Sequence, residues 1–374
     1  MRVLLLDQFG EPGGAQHGLI EAAEGFAARG WETHAALPEG PIWSPLRQFC
    51  ASVTHVPCGP YRSVSKTPVD VLRFVSDLRA QARTIKQLIH RHGGDVLYVN
   101  GPRLLPAAAW AHRKVPIVFH SHSVVTQASA ARLAGEALRR SDAYVLTSSR
   151  FVARWLSHYV PEERLRVIYN GIRDLPYHPR TTYTRVGVLG RIAPEKGQLT
   201  FVHAAQIAAR VDPRLSFTVC GGPVLSNATY FELVCREAGP LINLRPWTTD
   251  IANFFDDLDI LVVPSESVDA NPRVIPEAYA SGVPVIAFDS GGVSELLEDG
   301  VTGILVKEHS AETLAQAMLK AVRAPELLGR LAEAAHRRWQ QRYTLPRFQS
   351  EVCGALEFAA GSAPLRAVRA SASP

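Results

Sequence analysis

Two positively charged side chains follow one apolar run in the second half of the chain. The run RVGVLG leads directly into Arg191, and Lys196 follows shortly before a segment with helical spacing. An arginine offers a planar fork of donors to phosphate oxygens, and a lysine offers a point charge. A helix N-terminus adds N–H groups that attract anions. The pair therefore predicts a phosphate-binding loop, although two solvated charges on an exposed loop would give the same pattern.

Two carboxylates, Asp269 and Glu277, flank a predicted helix start further along the chain. They lie within DANPRVIPE, where Pro272 suits the first turn of a helix. Such a start would direct the N–H groups of residues 273–275 toward an anion. Glu277, about a turn and a half inside, could accept hydrogen bonds from both hydroxyls of a ribose, as acidic residues do in dinucleotide sites. The alternative is that Glu277 only complements the helix dipole.

Two glycine pairs follow predicted strands. Gly291 and Gly292 come after VPVIAFDS, and Gly13 and Gly14 come after the first apolar run. Glycine permits close approach of the backbone to a ligand, although loop glycines also simply make turns. The first pair along the chain is not part of a GxGxxG sequence, which disfavours a nicotinamide-dependent oxidoreductase.

Two histidines end the predicted strand PIVFHSH. His120 and His122 alternate along the strand and should therefore lie on one face of it. One of them could orient or catalyse at a cleft; a structural role is the alternative. A metal pair would need third and fourth ligands that the sequence does not supply. The string Asp257-Leu258-Asp259 matches a metal-binding DxD pattern, but its position before ILVVPS predicts the start of a buried strand instead.

The elements that would position these residues alternate between strand and helix. Apolar runs alternate with segments of helical spacing from the N-terminus to about residue 175, and again from about residue 185. This alternation predicts two α/β domains, each a doubly wound, Rossmann-like parallel sheet, with a cleft between them. Ligands bind outside the carboxyl ends of such strands. The predicted organisation is a first domain over 1–175, a linker over 176–184, a second domain over 185–345, a C-terminal helix over 346–361 that crosses back to the first domain, and a disordered tail over 362–374.

Composition limits the class of protein. The chain has 374 residues with a net charge of +5, and its basic residues are dispersed rather than clustered, so nucleic acid is not an expected partner. Five scattered cysteines predict neither a zinc site nor a disulfide framework and fit a reducing cytoplasm. No apolar run approaches the roughly 18 residues of a membrane span. A peripheral contact at the inner face of the cytoplasmic membrane is compatible with the mild basicity.

Several stretches together resemble the retaining glycosyltransferases of family 4, which have the GT-B fold. They span about residues 1–345 in the family's order, and GRIAPEKG combined with the PEAYASGVPVIA block is the most specific part. The matching stretches are GGAQ, AYVLTSS, VIYNGI, GRIAPEKG, VVPS and PEAYASGVPVIAFDSGGVSELLEDGVTGILV.

The resemblance implies a role for most of the candidate residues. Arg191 and Lys196 would hold the diphosphate of a nucleotide sugar, and Glu277 would bind its ribose. The helix start at Arg273 and Val274 would donate N–H bonds to the diphosphate or the sugar. The remaining expected donor contacts come from glycines and from the first acidic residue: Gly13, Gly14, Asp269, Gly291 and Gly292. His122 best matches the family histidine near the reacting sugar, with His120 as the fallback.

One departure from the family pattern concerns the first acidic position. The family has Glu-x7-Glu, and counting back from Glu277 gives Asp269, which is one methylene shorter. Glu266, three residues earlier, could substitute for it. Pro272 stands where many relatives have glycine. Both differences bear on which donor sugar is bound.

The expected activity is metal-independent, retaining transfer of a hexose from a nucleotide-diphosphate sugar, of UDP or GDP type. The acceptor would be a glycan, a lipid-linked compound or a small molecule, as in the assembly of cell-envelope polysaccharides. No cofactor is expected besides this co-substrate. Two alternatives remain open: a nucleotide-sugar epimerase of the same fold, and a catalytically weak subunit that only binds nucleotide sugars.

Overall fold

A computed structural model describes residues 1–59, 68–112, 115–223 and 228–361, and for residues 70 and 71 it describes the main chain only. The predicted disordered tail over 362–374 lies outside the described residues. The chain divides into two compact units. The first comprises Met1–Gly171 and the described residues from Pro346, and the second comprises Ile172–Leu345.

The first unit is built on a seven-stranded parallel sheet with strand order β3-β2-β1-β4-β5-β6-β7. Its strands are β1 (Arg2–Asp7), β2 (Glu32–Leu37), β3 (Ser52–His55), β4 (Val96–Asn100), β5 (Ile117–Ser121), β6 (Tyr144–Thr147) and β7 (Leu165–Val167). Its helices before the second unit are α1 (Gly14–Ala28), α2 (Trp43–Leu46), α3 (Pro68–His92), α4 (Leu105–Ala111), α5 (Ala128–Ser141) and α6 (Arg150–Leu156).

The second unit is built on a six-stranded parallel sheet with strand order β10-β9-β8-β11-β12-β13. Its strands are β8 (Arg185–Leu189), β9 (Ser216–Cys220), β10 (Ile242–Arg245), β11 (Ile260–Val263), β12 (Val285–Phe288) and β13 (Ile304–Val306). Its helices are α7 (Gln198–Val211), α8 (Ala228–Ala238), α9 (Ile251–Asp256), α10 (Val274–Ala280), α11 (Val293–Leu296), α12 (Ala311–Val322) and α13 (Pro325–Arg342). The last helix of the chain, α14 (Leu345–Ala359), lies in the first unit from Pro346 onward.

The central strands are apolar on both faces because helices cover both sides of each parallel sheet. All five residues of β4 are buried, as are all four of β11 and of β12. The prediction of two doubly wound, Rossmann-like α/β domains is confirmed. Three strands differ from the sequence reading. The edge strand β3 and the three-residue β13 carry too short an apolar pattern to be recognised, and β7 is shorter than the run RLRVIYNGI.

Residues 172–184 belong to the second unit, whereas the sequence analysis assigns 1–175 to the first domain and 176–184 to a linker. Two contacts explain the difference. Ile172 forms a bridge with Thr344, and its N–H donates to the carbonyl of Tyr343 at 2.7 Å. Beyond residues 172–184, Arg180 donates to three backbone carbonyls of the second unit, those of Phe255, Leu258 and Ser281. The polar, Pro-containing composition of residues 172–184 is typical of a linker, but Arg180 fixes the segment to the second unit.

The C-terminal helix α14 packs against α1 of the first unit. The side chain of Gln349 donates to the carbonyl of Glu21 at 2.9 Å and lies where a side chain on Gly25 would be. Phe348 is fully buried and stacks on His120, with ring centroids 6.4 Å apart. The helix therefore supplies part of the core beneath the end of β5.

No described helix is both long enough and apolar enough to cross a membrane. All five cysteines are unpaired, and four of them are buried.

Candidate active site

In each sheet the strand order reverses at one point, and the loops that follow the two strands there lead away in opposite directions. In the second unit this point lies between β8 and β11, and in the first unit between β1 and β4. Open α/β sheets bind ligands at such positions. Residues 190–197, here termed the β8 loop, and residues 264–273, the β11 loop, contain both predicted phosphate-binding cations and both candidates for the first acidic position.

The β8 and β11 loops are joined by a backbone bond and an ion pair. The N–H of Glu266 donates to the carbonyl of Glu195 at 3.2 Å. The Lys196 ammonium lies 2.5 Å from Asp269 Oδ2, which also accepts a bond from the Ser265 hydroxyl at 3.0 Å. The Asp269 side chain is 12% exposed and that of Lys196 is 26% exposed. The structure therefore brings together one predicted phosphate ligand and the first acidic residue.

Gly197, the last residue of the β8 loop, allows the two loops to approach this closely. Its φ is +69°, and a β-carbon built on it would lie 1.9 Å from the carbonyl oxygen of Pro264. The conformation and the contact each favour glycine. The sequence shows only a glycine before a helix, and the contact that requires it lies 67 positions away along the chain.

The glycine pair after β12, Gly291 and Gly292, packs against the β11 loop. Gly292 donates its N–H to the carbonyl of Asp269 at 2.7 Å, and a β-carbon on it would lie 2.0 Å from the carbonyl oxygen of Ala270. A β-carbon on Gly291 would lie 2.6 Å from the carbonyl oxygen of Asp269. From the sequence, both glycines were expected either to let the backbone approach a ligand or simply to make a turn. In the structure, the space that their missing side chains leave is filled by the protein's own β11 loop.

Arg191 is the more exposed of the two predicted cations. Its guanidinium lies 3.9 Å from the Glu195 carboxylate, and both side chains are about half exposed. The loop beneath it is held by Gln198, which donates to the Arg191 carbonyl at 2.7 Å and accepts from the Ala193 N–H. Arg191 can therefore turn toward an anion while its backbone stays fixed.

Helix α10 begins two residues later than expected. The sequence predicts a helix that Pro272 opens, whereas α10 starts at Val274 with Arg273 at its N-cap. The carbonyl of Pro272 instead accepts a turn bond from the Ile275 N–H at 3.2 Å, so this predicted N–H donor is used within the protein. Arg273 Nε lies 3.7 Å from Glu277 Oε1, and both side chains are largely buried.

The two candidates for the first acidic position differ in their surroundings. The Glu266 carboxylate is exposed and accepts a bond from the Thr200 hydroxyl. Asp269 pairs with Lys196 instead. This geometry favours Asp269 over Glu266 as the acidic residue that lies beside the cation.

The DxD string is structural, as expected from its position. Asp259 is buried at the start of β11 and accepts bonds from the backbone N–H groups of Thr184 and Arg185 and from the Arg185 guanidinium. Burial alone would raise the pKa of Asp259, but these four donors more than compensate and the pKa is lowered. Among the described residues, no three His, Cys, Asp or Glu side chains form a group that could hold a metal ion.

In the first unit, His120 and His122 lie side by side at the end of β5, with ring centroids 4.1 Å apart. His120 is 1% exposed, and its Nδ1 lies 2.5 Å from the Tyr98 hydroxyl. Burial and the neighbouring His122 hold the pKa of His120 well below its usual value, so it stays neutral. His122 is partly exposed, which favours it over His120 as the histidine that meets a ligand.

His122 is the end of a hydrogen-bonded chain that begins at a buried carboxylate. Its Nε2 lies 2.7 Å from Asn100 Oδ1, and Asn100 Nδ2 lies 2.5 Å from Asp7 Oδ2. Gln16 donates to both oxygens of Asp7, at 3.1 and 3.2 Å. Gly13 is the N-cap of α1, where a β-carbon would lie 2.8 Å from Gln16 Oε1, and Gly14 is the first residue of that helix.

Four residues near the candidate groups were not predicted from the sequence: Asp7, Gln16, Asn100 and Ser265. Asp7 and Asn100 could have been predicted from the sequence, because each is the last residue of an apolar strand. The two strands are neighbours, with Asp7 opposite Asn100. Ser265 follows β11 after the buried Pro264. The signal for all three is a polar residue immediately after a buried run.

The chain matches two family models that together cover more than three quarters of it. Residues 12–174 match the model Glycosyltransferase Family 4, and residues 183–324 match the model Glycosyl transferases group 1. It is 27% identical to a D-inositol 3-phosphate glycosyltransferase of Frankia alni over 375 aligned residues, which cover 87% of this chain and 90% of the relative. A second such enzyme, from Rhodococcus opacus, is 28% identical and covers 88% and 82% of the two chains.

Solved structures of the same architecture are similar over almost the whole chain. The crystal structure of Anabaena Alr3699/HepE in complex with UDP-glucose has a TM-score of 0.80 at 23% identity and covers 96% of this chain and 100% of its own. Sucrose-phosphate synthase from Thermosynechococcus elongatus also has a TM-score of 0.80, at 19% identity. With two Rossmann-like units and both family models matched in order, the chain belongs to the family 4 glycosyltransferases and has the GT-B fold.

Proposed function

We propose that the protein transfers a hexosyl group from a UDP-sugar to a hydroxyl acceptor, with retention of anomeric configuration and without a bound metal ion. The observation that carries this proposal is the convergence of three loops of the second unit on the Lys196–Asp269 pair. The HepE structures hold UDP and UDP-glucose, which favours UDP over GDP. In this proposal the second unit holds the donor and the first unit holds the acceptor.

Lys196 and Arg191 would bind the diphosphate. The Lys196 ammonium has three N–H donors, so it can contact Asp269 and a phosphate oxygen at once. As the bond between the anomeric carbon and the diphosphate breaks, negative charge grows on the leaving oxygen. The acceptor oxygen bonds to the same carbon from the same face, and its hydroxyl proton passes to the departing diphosphate. Prepositioned cations stabilise that charge as it develops, which is the contribution that usually dominates such catalysis. This role needs no metal ion.

The remaining candidate residues would orient the sugar and the ribose. Asp269 would accept hydrogen bonds from sugar hydroxyls, and Glu277 from the two ribose hydroxyls. The N–H groups of Arg273 and Val274 would donate to the diphosphate or the sugar. His122 would contact the reacting sugar from the first unit, and Gly14 would let the loop after β1 approach the donor.

The acceptor proposed first is an inositol phosphate, because the curated relatives are named for that activity and align over almost their full length. A glycan or a lipid-linked compound is the second candidate. The test is to incubate the protein with UDP-, GDP- and ADP-hexoses, with and without each acceptor, and to follow nucleotide release and the product anomer by NMR. Acceptor-dependent transfer with retention supports the proposal. Conversion of the donor sugar without acceptor would identify an epimerase, and binding without turnover across all acceptors a binding subunit.

The ribose role predicts a selective loss of affinity. Replacing Glu277 by Ala should weaken UDP binding about 10–100-fold in calorimetry, because hydrogen bonds to a charged group contribute roughly 1.5–3 kcal/mol. Pyrophosphate has no ribose, so its affinity should be unchanged or higher, since Arg273 loses its carboxylate neighbour. An equal loss for both ligands would assign Glu277 to the structure of α10 rather than to the ribose.

Peripheral membrane contact is proposed for the start of α3. Val69 and Leu72 are 70% and 71% exposed, Val75 is also exposed, and Arg73 and Arg79 are exposed on the same helix. Exposed apolar side chains with neighbouring cations suit the surface of an anionic bilayer. The expected result is co-sedimentation with phosphatidylglycerol vesicles but not with phosphatidylcholine vesicles.

Leu72→Glu should abolish this co-sedimentation. The exposed Val211 at the end of α7 offers the matched control, and Val211→Glu should leave vesicle binding unchanged. Equal binding by wild type and Leu72→Glu would remove α3 as the contact.

A further inference from the structure

A buried carboxylate at the end of β1 has no role in the transfer described above. Asp7 is fully buried, and it accepts bonds from Asn100 Nδ2, from Gln16 Nε2 and from the Phe9 N–H at 2.7 Å. Burial raises the pKa of Asp7 to about 7, although these donors act in the opposite direction. Burying a carboxylate costs free energy, so we expect Asp7 to hold a neighbouring group in place.

The chemistry of Asn100 links this carboxylate to His122. An amide has donors on its nitrogen and only lone pairs on its oxygen. Because the Asn100 nitrogen is directed at Asp7, its oxygen faces His122, 2.7 Å from Nε2. An oxygen without a proton can only accept, so Nε2 must carry the hydrogen. In the neutral ring, Nδ1 is then the nitrogen with the lone pair.

We propose that Asp7 is a positioning residue for His122: acting through the Asn100 amide, it fixes the tautomer of His122 so that Nδ1 can accept a hydrogen bond from a sugar hydroxyl. This inference rests on the proposed function, in which His122 contacts the reacting sugar. With the proton on the other nitrogen, Nδ1 would become a donor, and the same hydroxyl would have to present its lone pair instead.

His120 cannot replace His122 in this role. It is buried, its Nδ1 is engaged with Tyr98, and its depressed pKa keeps it uncharged. It lies against the face of His122 and limits how far that ring can turn. The position of the His122 ring is thus limited by His120, and the position of its proton is set by Asp7 through Asn100.

The first measurement uses the wild-type protein with ¹⁵N-labelled histidine, with His122→Gln as the variant that assigns the signal. NMR shifts of the two ring nitrogens report which of them carries the proton. We expect the Nε2-protonated form at His122. A wild-type ring protonated at Nδ1 would overturn the proposal without any further variant.

The second measurement replaces Asp7 by Asn, which is nearly the same size but can donate. Asn at position 7 can donate to Asn100 Oδ1, so Asn100 can reverse and present its nitrogen to His122. We expect the His122 proton to move to Nδ1 and kcat to fall about 10–100-fold, the loss seen when residues that orient metal-binding histidines are replaced, while the donor KM changes less than about threefold.

Gln16→Met is the matched control. It removes the bonds from Gln16 to both oxygens of Asp7 but leaves Asn100 in place, so the tautomer should stay and kcat should remain within about threefold of wild type. An active Asp7→Asn enzyme with an unchanged tautomer and unchanged kcat would refute the positioning role and leave the proposed function intact. A wild-type protein that shows the expected tautomer but transfers no sugar would refute the proposed function instead.

Discussion

Replacing Lys196 by Ala should lower kcat with the preferred nucleotide sugar about 10²–10³-fold, the usual cost of removing one group that stabilises transition-state charge. Two effects combine in this variant. The diphosphate loses a cation, and the largely buried Asp269 carboxylate, 2.5 Å from the ammonium in the native protein, loses its partner and repels the donor. Turnover at saturating donor and acceptor is the measurement.

A double variant separates the two effects. Lys196→Ala combined with Asp269→Asn removes both the cation and the carboxylate charge. Compared with Lys196→Ala alone, the double variant should recover part of the donor affinity but little of kcat. Lys320→Ala removes one exposed positive charge from α12 and serves as the matched control, with activity close to wild type. Turnover by Lys196→Ala within about threefold of wild type would show that this lysine does not bind the leaving group.

Replacing Gly197 by Ala should destabilise the second unit by about 3 kcal/mol or more. A left-handed conformation costs an alanine about 1–2 kcal/mol. The remainder arises because the new β-carbon would lie 1.9 Å from the Pro264 carbonyl, so the β8 and β11 loops must separate. For a domain of this size we expect the melting temperature to fall about 6–12 °C and UDP affinity to fall with it.

Gly300 provides a control with the same conformation but no neighbour. Its φ is +70°, compared with +69° at Gly197, and nothing lies within 4 Å of the position of its β-carbon. Gly300→Ala should therefore show only the conformational cost, about 1–2 kcal/mol, with unchanged UDP affinity. Equal losses for the two variants would mean that backbone conformation alone requires Gly197, and that the contact between the loops contributes nothing.

The sequence determined the two-domain α/β architecture, because parallel strands covered on both faces leave apolar runs that alternate with helical spacing. The segment with helical spacing that follows Lys196 in the sequence is helix α7, Gln198–Val211. The motifs GRIAPEKG and PEAYASGVPVIA determined the family. Lys196, Asp269 and Glu277 were indicated as site residues by their positions after buried strands, since polar groups there collect at one edge of the sheet.

Only the tertiary structure decided which of these residues meet. The Lys196–Asp269 pair joins loops 73 positions apart, and the chain from Asp7 to His122 joins three strands. Local sequence carries no record of such contacts, because they depend on which strands become neighbours and on which amide nitrogen faces which oxygen. For the same reason, the sequence could not show that the β11 loop occupies the space where side chains on Gly291 and Gly292 would lie.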